Sequence, residues 1–227
     1  MLQSVYLLQL LDGVATTLKL FAIGWVMAFS LAVILVIVRT TNVAVCRWFV
    51  DIYVEYHRNV PLMVQVLFWY FGMPELLPES VRTWLYAHNA ELSLAAIALG
   101  LGSAAYIAED IRSGLRAIPA TQFEAARALG SSYIQCMRYI IVPQALRIAI
   151  APLVSRALLL FKNTSVAMAI GVVELTYQTR EIENETYRTF ATFGAATILY
   201  LCGSFLIMFI GSRVYAHFAL NKEVRRA

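Results

Sequence analysis

The amino-acid sequence predicts an all-α polytopic membrane protein with five transmembrane helices, and three observations carry that expectation. Only 14% of the 227 residues are charged, against about 25% in an ordinary soluble domain. No charge falls between Lys19 and Arg39, and none from Phe190 to Ser212, runs long enough to carry a helix across about 30 Å of hydrocarbon. The remaining charges gather between apolar runs and segregate by sign, as they do on the two sides of a bilayer.

In chain order the spans are expected at about 14–38, 48–72, 90–114, 147–170 and 192–214, in one transmembrane domain covering 1–227. The N-terminal MLQSVYLLQLLDG has no basic residue, so it reads as part of a retained span rather than a signal peptide. The second span opens on the charged DIYVEYHR and becomes apolar in NVPLMVQVLFWYFGMP. Glu55 and Arg58 there stand three residues apart, on one helix face, and can pair; His57 reads as a packing histidine. The third span has the neutral core LSLAAIALGLGSAAYIA, in which Gly100 and Gly102 form a small-residue stripe suited to close helix packing, within the chain or at a subunit seam. Arg156 and Lys162 interrupt the fourth, and need protein around them or a path to the headgroups.

Loop charges orient the set. Arg39, Arg47, Arg112, Arg116, Arg127, Arg138, Lys222, Arg225 and Arg226 fall on one side, and the acidic REIENETYR segment on the other. Basic loops mark the cytoplasm, which places the N-terminus outside and the C-terminus inside. Cys46, Cys136 and Cys202 have no CxxC or metal-ligand spacing, and no metal site is expected. No basic cluster is large enough to suggest nucleic acid. HExxH and GxSxG are both absent, so an enzyme is not expected.

The segment FEAARALGSSYIQCMRYIIVP (123–143) is polar and glycine-interrupted between apolar spans. Thr121 and Glu124 have capping-box spacing, Gly130 permits a turn, and Pro143 is placed to begin the next helix. Two short surface helices are therefore expected over 119–143, either as a plain loop or as a docking element for a cytoplasmic partner.

Glu124-Ala125-Ala126, then Gly130, Ile140 and Val142-Pro143, resembles the EAA signature of the membrane permeases of binding-protein-dependent ABC importers, with Val142 where leucine is usual. Arg58 and Pro61 in EYHRNVPLMVQVLFWYFGMP, and FKNTSVAMAIGVVEL (161–175), are similar to the polar amino acid branch, although Asn59 and Val60 replace its frequent glycine and threonine. The resemblance implies the type I importer, or MetI-like, core with cytoplasmic coupling helices between spans three and four. It implies that Glu124, Ala125, Ala126 and Gly130 contact an ATPase subunit. It further implies a bacterial inner-membrane location, two cytoplasmic ABC ATPase subunits, a second permease subunit (identical or homologous) and a periplasmic amino-acid-binding protein. The likeness of residues 162–175 to acidic amino acid permeases points to the glutamate/aspartate type among polar amino acids.

The chain has no G-x-x-x-x-G-K-[ST], the loop that cradles nucleotide phosphates. ATP and its magnesium are therefore expected on the partner ATPases, with no cofactor on this chain. Lys162, Asn163, Thr164 and Ser165, together with Arg58, are the candidate substrate pathway, since intramembrane charge marks function by default; helix–helix packing is the alternative. The rival function is a subunit of an ATPase-independent secondary amino acid transporter or channel, which would have no use for the EAA-like segment.

Overall fold

A computed structural model describes residues 4–41 and 43–223. Met1 to Gln3, and Arg225 and Arg226 of the basic C-terminus, lie outside the described residues. Those described form helices and turns: α1 (Ser4–Thr40), α2 (Ala44–Asn59), α3 (Leu62–Leu67), α4 (Glu79–Ala87), α5 (Ala90–Arg116), α6 (Ala120–Ala128), α7 (Tyr133–Cys136), α8 (Val142–Asn163), α9 (Leu175–Thr186) and α10 (Thr189–Glu223). Among them, four helical stretches are long and apolar enough to cross a membrane: Val5–Thr40, Ala90–Arg116, Tyr133–Ile170 and Thr189–Phe218; Leu62–Leu76 is a shorter apolar helix.

The helix α5 is the centre of the bundle. Its alanines and glycines let α1 lie along one side, where Leu20, Ala28 and Ala32 are buried. Gly100 and Gly102 serve close packing within the chain, against Met27 and against Leu62 and Gln65. On the other side α8 closes so tightly that a Cβ on Gly114 would meet the Ala145 carbonyl at 2.6 Å. Outward faces of α1 and α10 are leucine, isoleucine, valine and phenylalanine left exposed, as a hydrocarbon solvent requires.

Charges close the C-terminal end of α5. Glu109 receives Arg39 from α1 and Arg112 from its own helix, while Arg39 also pairs with Asp51 of α2. Arg156 of α8 donates to Asp110 at 2.7 Å and lies over the Tyr106 ring, 4.8 Å from its centroid. It is held by protein and does not snorkel.

Several sequence expectations are corrected. The second span is not one helix over 48–72: α2 ends at Asn59, because Pro61 offers no N–H and forces Val60 into extended backbone (φ −89°, ψ 130°). Pro143 stands in the first turn of α8, as expected, but no break precedes it. Helix runs from Tyr133 into α8 through a π turn, Met137–Ile141, which opens the coil where Pro143 has no N–H to give. Only α6 is thus a separate surface helix, and Ser132 with Gln135, not Thr121 with Glu124, forms the capping box. Finally, Glu55 accepts from Asn59 instead of pairing with Arg58.

Candidate functional site

Breaking a helix inside a membrane leaves carbonyls without donors, and such groups must be satisfied within the protein. Gln65, 1% exposed, does this: its Nε2 donates to the carbonyls of Val60 (2.8 Å) and His57 (3.1 Å). Its Oε1 then has only the acceptor role left, and lies 2.6 Å from His57 Nδ1. This network assigns the proton to Nδ1. Tyr53 and Tyr56 pack on the imidazole, with ring centroids at 4.5 and 4.9 Å.

Beside this clamp is a cavity of about 100 Å³ lined by His57, Gln65, Ser103, Tyr106, Arg156 and Asn163, among others. It is smaller than the roughly 300–1,000 Å³ of a small-ligand pocket. Its polar lining is donor-rich, and its one formal charge is the Arg156 guanidinium.

Of the pathway residues expected from sequence, Asn163 lines this cavity. Lys162 is exposed on the outside of α8. Thr164 is buried and donates to the Phe161 carbonyl, and Ser165 donates to that of Lys162, both at the joint where α8 tightens into the 3₁₀ turn Thr164–Ile170. The Arg58 side chain is exposed, 6.0 Å from the Tyr106 ring centroid, while its carbonyl accepts from the Tyr106 hydroxyl. His57, Gln65, Tyr106 and Arg156 were not among the expected pathway residues. The signal that could have found them is Pro61, which leaves carbonyls that a nearby polar side chain must satisfy.

Beyond the C-terminal end of α5, α6 stops in a Schellman motif: Ser131 N–H reaches the Ala126 carbonyl and Gly130 N–H that of Arg127. Gly130 has φ +83°, the left-handed conformation that favours glycine. Glu124, Ala125 and Gly130 are exposed, whereas Ala126 is buried within its own chain. Leu129 and Ile134 are 87% and 73% exposed, so an apolar patch stands beside Glu124. Two links join this surface to the helices that follow: Gln144 of α8 donates to Gln122 at 2.7 Å, and Phe123 packs edge-on to Tyr133 of α7, which continues through the π turn into α8.

At the opposite end, Glu174 is fully buried. Its Oε1 caps α9 by accepting from Tyr177 N–H (2.9 Å), and its Oε2 accepts from the Tyr200 hydroxyl (2.8 Å). Thr17 of α1 joins them by accepting from Leu175 N–H. Burial lifts the carboxyl above its ordinary value of 4.5, against the pull of these donors. The protonated form is then better tolerated folded than unfolded. Its stabilising contribution is full below about pH 4.5 and is lost as pH rises through the raised folded value. The thermal midpoint of wild type minus that of Glu174→Gln is therefore expected to fall as pH is raised from the unfolded value; a pH-independent difference would contradict the assignment.

Comparison with known proteins places the chain. The family model described as binding-protein-dependent transport system inner membrane component matches residues 40–220. The glutamate/aspartate import permease protein GltJ of Escherichia coli (strain K12) is 32% identical, over 91% of this chain and 86% of its own length. The histidine/lysine/arginine/ornithine transport system permease protein HisM of Salmonella typhimurium is 35% identical, over 86% and 84%. A crystal structure of an amino acid ABC transporter with histidines superposes with a TM-score of 0.80 at 27% identity, covering 93% of this chain and 95% of that one. An inward-facing MetNI methionine ABC transporter structure shares the fold, with a TM-score of 0.76 at 19% identity and coverage of 96% and 99%. The chain belongs to the inner-membrane permease family of binding-protein-dependent ABC transport systems.

Proposed function

We propose that this chain is the membrane subunit of an ATP-driven importer that moves a polar amino acid from a periplasmic binding protein to the cytoplasm. The observation that carries the proposal is the exposed α6 surface, built on Glu124, Ala125, Leu129 and Gly130 and linked by side chains to α8. Two ATPase subunits seat on that surface and hold the ATP and magnesium. Their closure moves α6, and the Gln122–Gln144 and Phe123–Tyr133 contacts carry the movement into α8, whose far end bears Lys162 and Asn163. The N-terminus is periplasmic and the C-terminus cytoplasmic, in keeping with the basic α5–α8 side.

Acidic amino acids are the substrates favoured by the site. No carboxylate lines the cavity, and Lys162 pairs with none among the described residues. Relatives named for acidic and for basic amino acids align at 32% and 35% identity, so overall similarity does not choose between them. The chain's own cavity is too small for an amino acid, which fits a path completed by a second permease, identical or homologous.

The intact complex, extracted in mild detergent and weighed, is expected to contain two permease chains and two ATPase chains. A stable, transport-competent complex with one permease chain, or with no ATPase, would contradict this function and favour the secondary-transporter alternative.

A further inference from the structure

A groove of about 630 Å³ lies between the cytoplasmic part of α8 and the end of α10, and nothing in the transport scheme uses it. Its lining combines apolar Ile148, Ala151 and Phe218 with Tyr139, Tyr215 and Arg147. Arg147 is half-buried, makes no ion pair among the described residues, and meets no carboxylate in the lining. It precedes Arg156 by about two and a half helical turns, so the two arginines point to opposite flanks of α8. The groove therefore faces away from the polar cavity.

Depth along the helices identifies the environment. Tyr139 and Tyr215 are exposed near the ends of the two long apolar stretches, and Leu146 and Ile148 beside Arg147 are exposed and apolar. Amphipathic rings of this kind sit at headgroup level, with the apolar wall continuing into the acyl region. A ligand filling this space needs an anionic head and an apolar tail. Basic pockets between transmembrane helices on the cytoplasmic side suit anionic lipid headgroups.

We propose that this groove binds an anionic phospholipid, with its phosphate against Arg147 and the first part of an acyl chain along Ile148, Ala151 and Phe218. The orientation proposed for the chain decides only which leaflet supplies the lipid, here the cytoplasmic one. Gln144 lines the same groove and holds Gln122 of α6. A bound lipid thus sits at the joint between the docking helix and α8.

The test uses the complete complex, purified after equilibration with vesicles containing equal amounts of phosphatidylglycerol and phosphatidylcholine, and examined by native mass spectrometry. Wild type is expected to retain phosphatidylglycerol over phosphatidylcholine by roughly fivefold, the contribution of one basic residue at an anionic surface. Arg147→Gln is expected to bring the ratio close to one, and Arg188→Gln, an exposed arginine at the other end of the molecule, to leave it unchanged. Equal retention of the two lipids by wild type, or an unchanged ratio in Arg147→Gln, would overturn the site. So would efficient short-range cross-linking of Ala151→Cys to the second permease, because a protein face would then fill the groove. The same spectra record bound ATPase, so failure of the lipid site and failure of the transport assembly are distinguishable.

Discussion

Asp110→Ala is expected to destabilise the folded chain by about 3–5 kcal/mol, the usual effect of removing one partner from a buried ion pair. Asp110 and Arg156 are 15% and 31% exposed at the side chain, and join α5 to α8 by two hydrogen bonds. Without the carboxylate, the guanidinium keeps only the Tyr106 ring as a partner in a low-dielectric site. The cost lies in the stranded charge rather than in the bond itself. Asp110→Asn combined with Arg156→Gln should therefore recover most of the loss, since no formal charge then remains. Thermal unfolding in a mild detergent checks both variants. A small loss in the single variant, or no recovery in the double, would mean that water reaches this pair.

Much of the frame is legible in the residue pattern, because a bilayer imposes a simple rule. The uncharged runs fall inside α1 and α10, and the small-residue third span is α5. Gly130 is readable too: a helix that must end beside a turn needs left-handed backbone, and the sequence offers glycine there. Proline proved the less reliable mark. Pro61 breaks its helix, yet Pro143 does not, since the π turn before it removes the conflict and leaves no trace in the spacing.

What pairs across long separations was not legible. Arg156 meets Asp110 from another helix, and Glu174 draws its donors from α9 and α10 while Thr17 of α1 holds the adjoining Leu175 N–H; no local periodicity encodes such meetings. The KNTS segment shows a subtler limit. Asn163 lines the cavity while Lys162 points outward, a difference set by the phase of α8 just before it tightens into 3₁₀ geometry. Ala126 was similarly grouped with its exposed neighbours, whereas the helix turns it inward.

The second large effect is expected at the docking surface proposed on α6, and it bears on the proposed coupling mechanism itself. Glu124→Lys reverses an exposed charge beside the apolar patch of Leu129 and Ile134. Gly130→Asp strains a positive-φ position by roughly 1 kcal/mol or more. Among the described residues beyond its chain neighbours, none comes within 4 Å of a Cβ there, so the added side chain projects into open space, where the proposed ATPase would seat. Both variants should insert and fold, and yet weaken ATPase docking by roughly thirtyfold or more, as loss of a buried charged contact does. The decisive measurement is binding-protein-stimulated ATP hydrolysis in reconstituted liposomes, run beside an assay of how much ATPase stays bound. Near-complete loss of stimulation, with the permease still inserted, is the predicted result. Wild-type stimulation together with wild-type assembly in both variants would mean that residues 123–138 do not transmit the ATPase stroke.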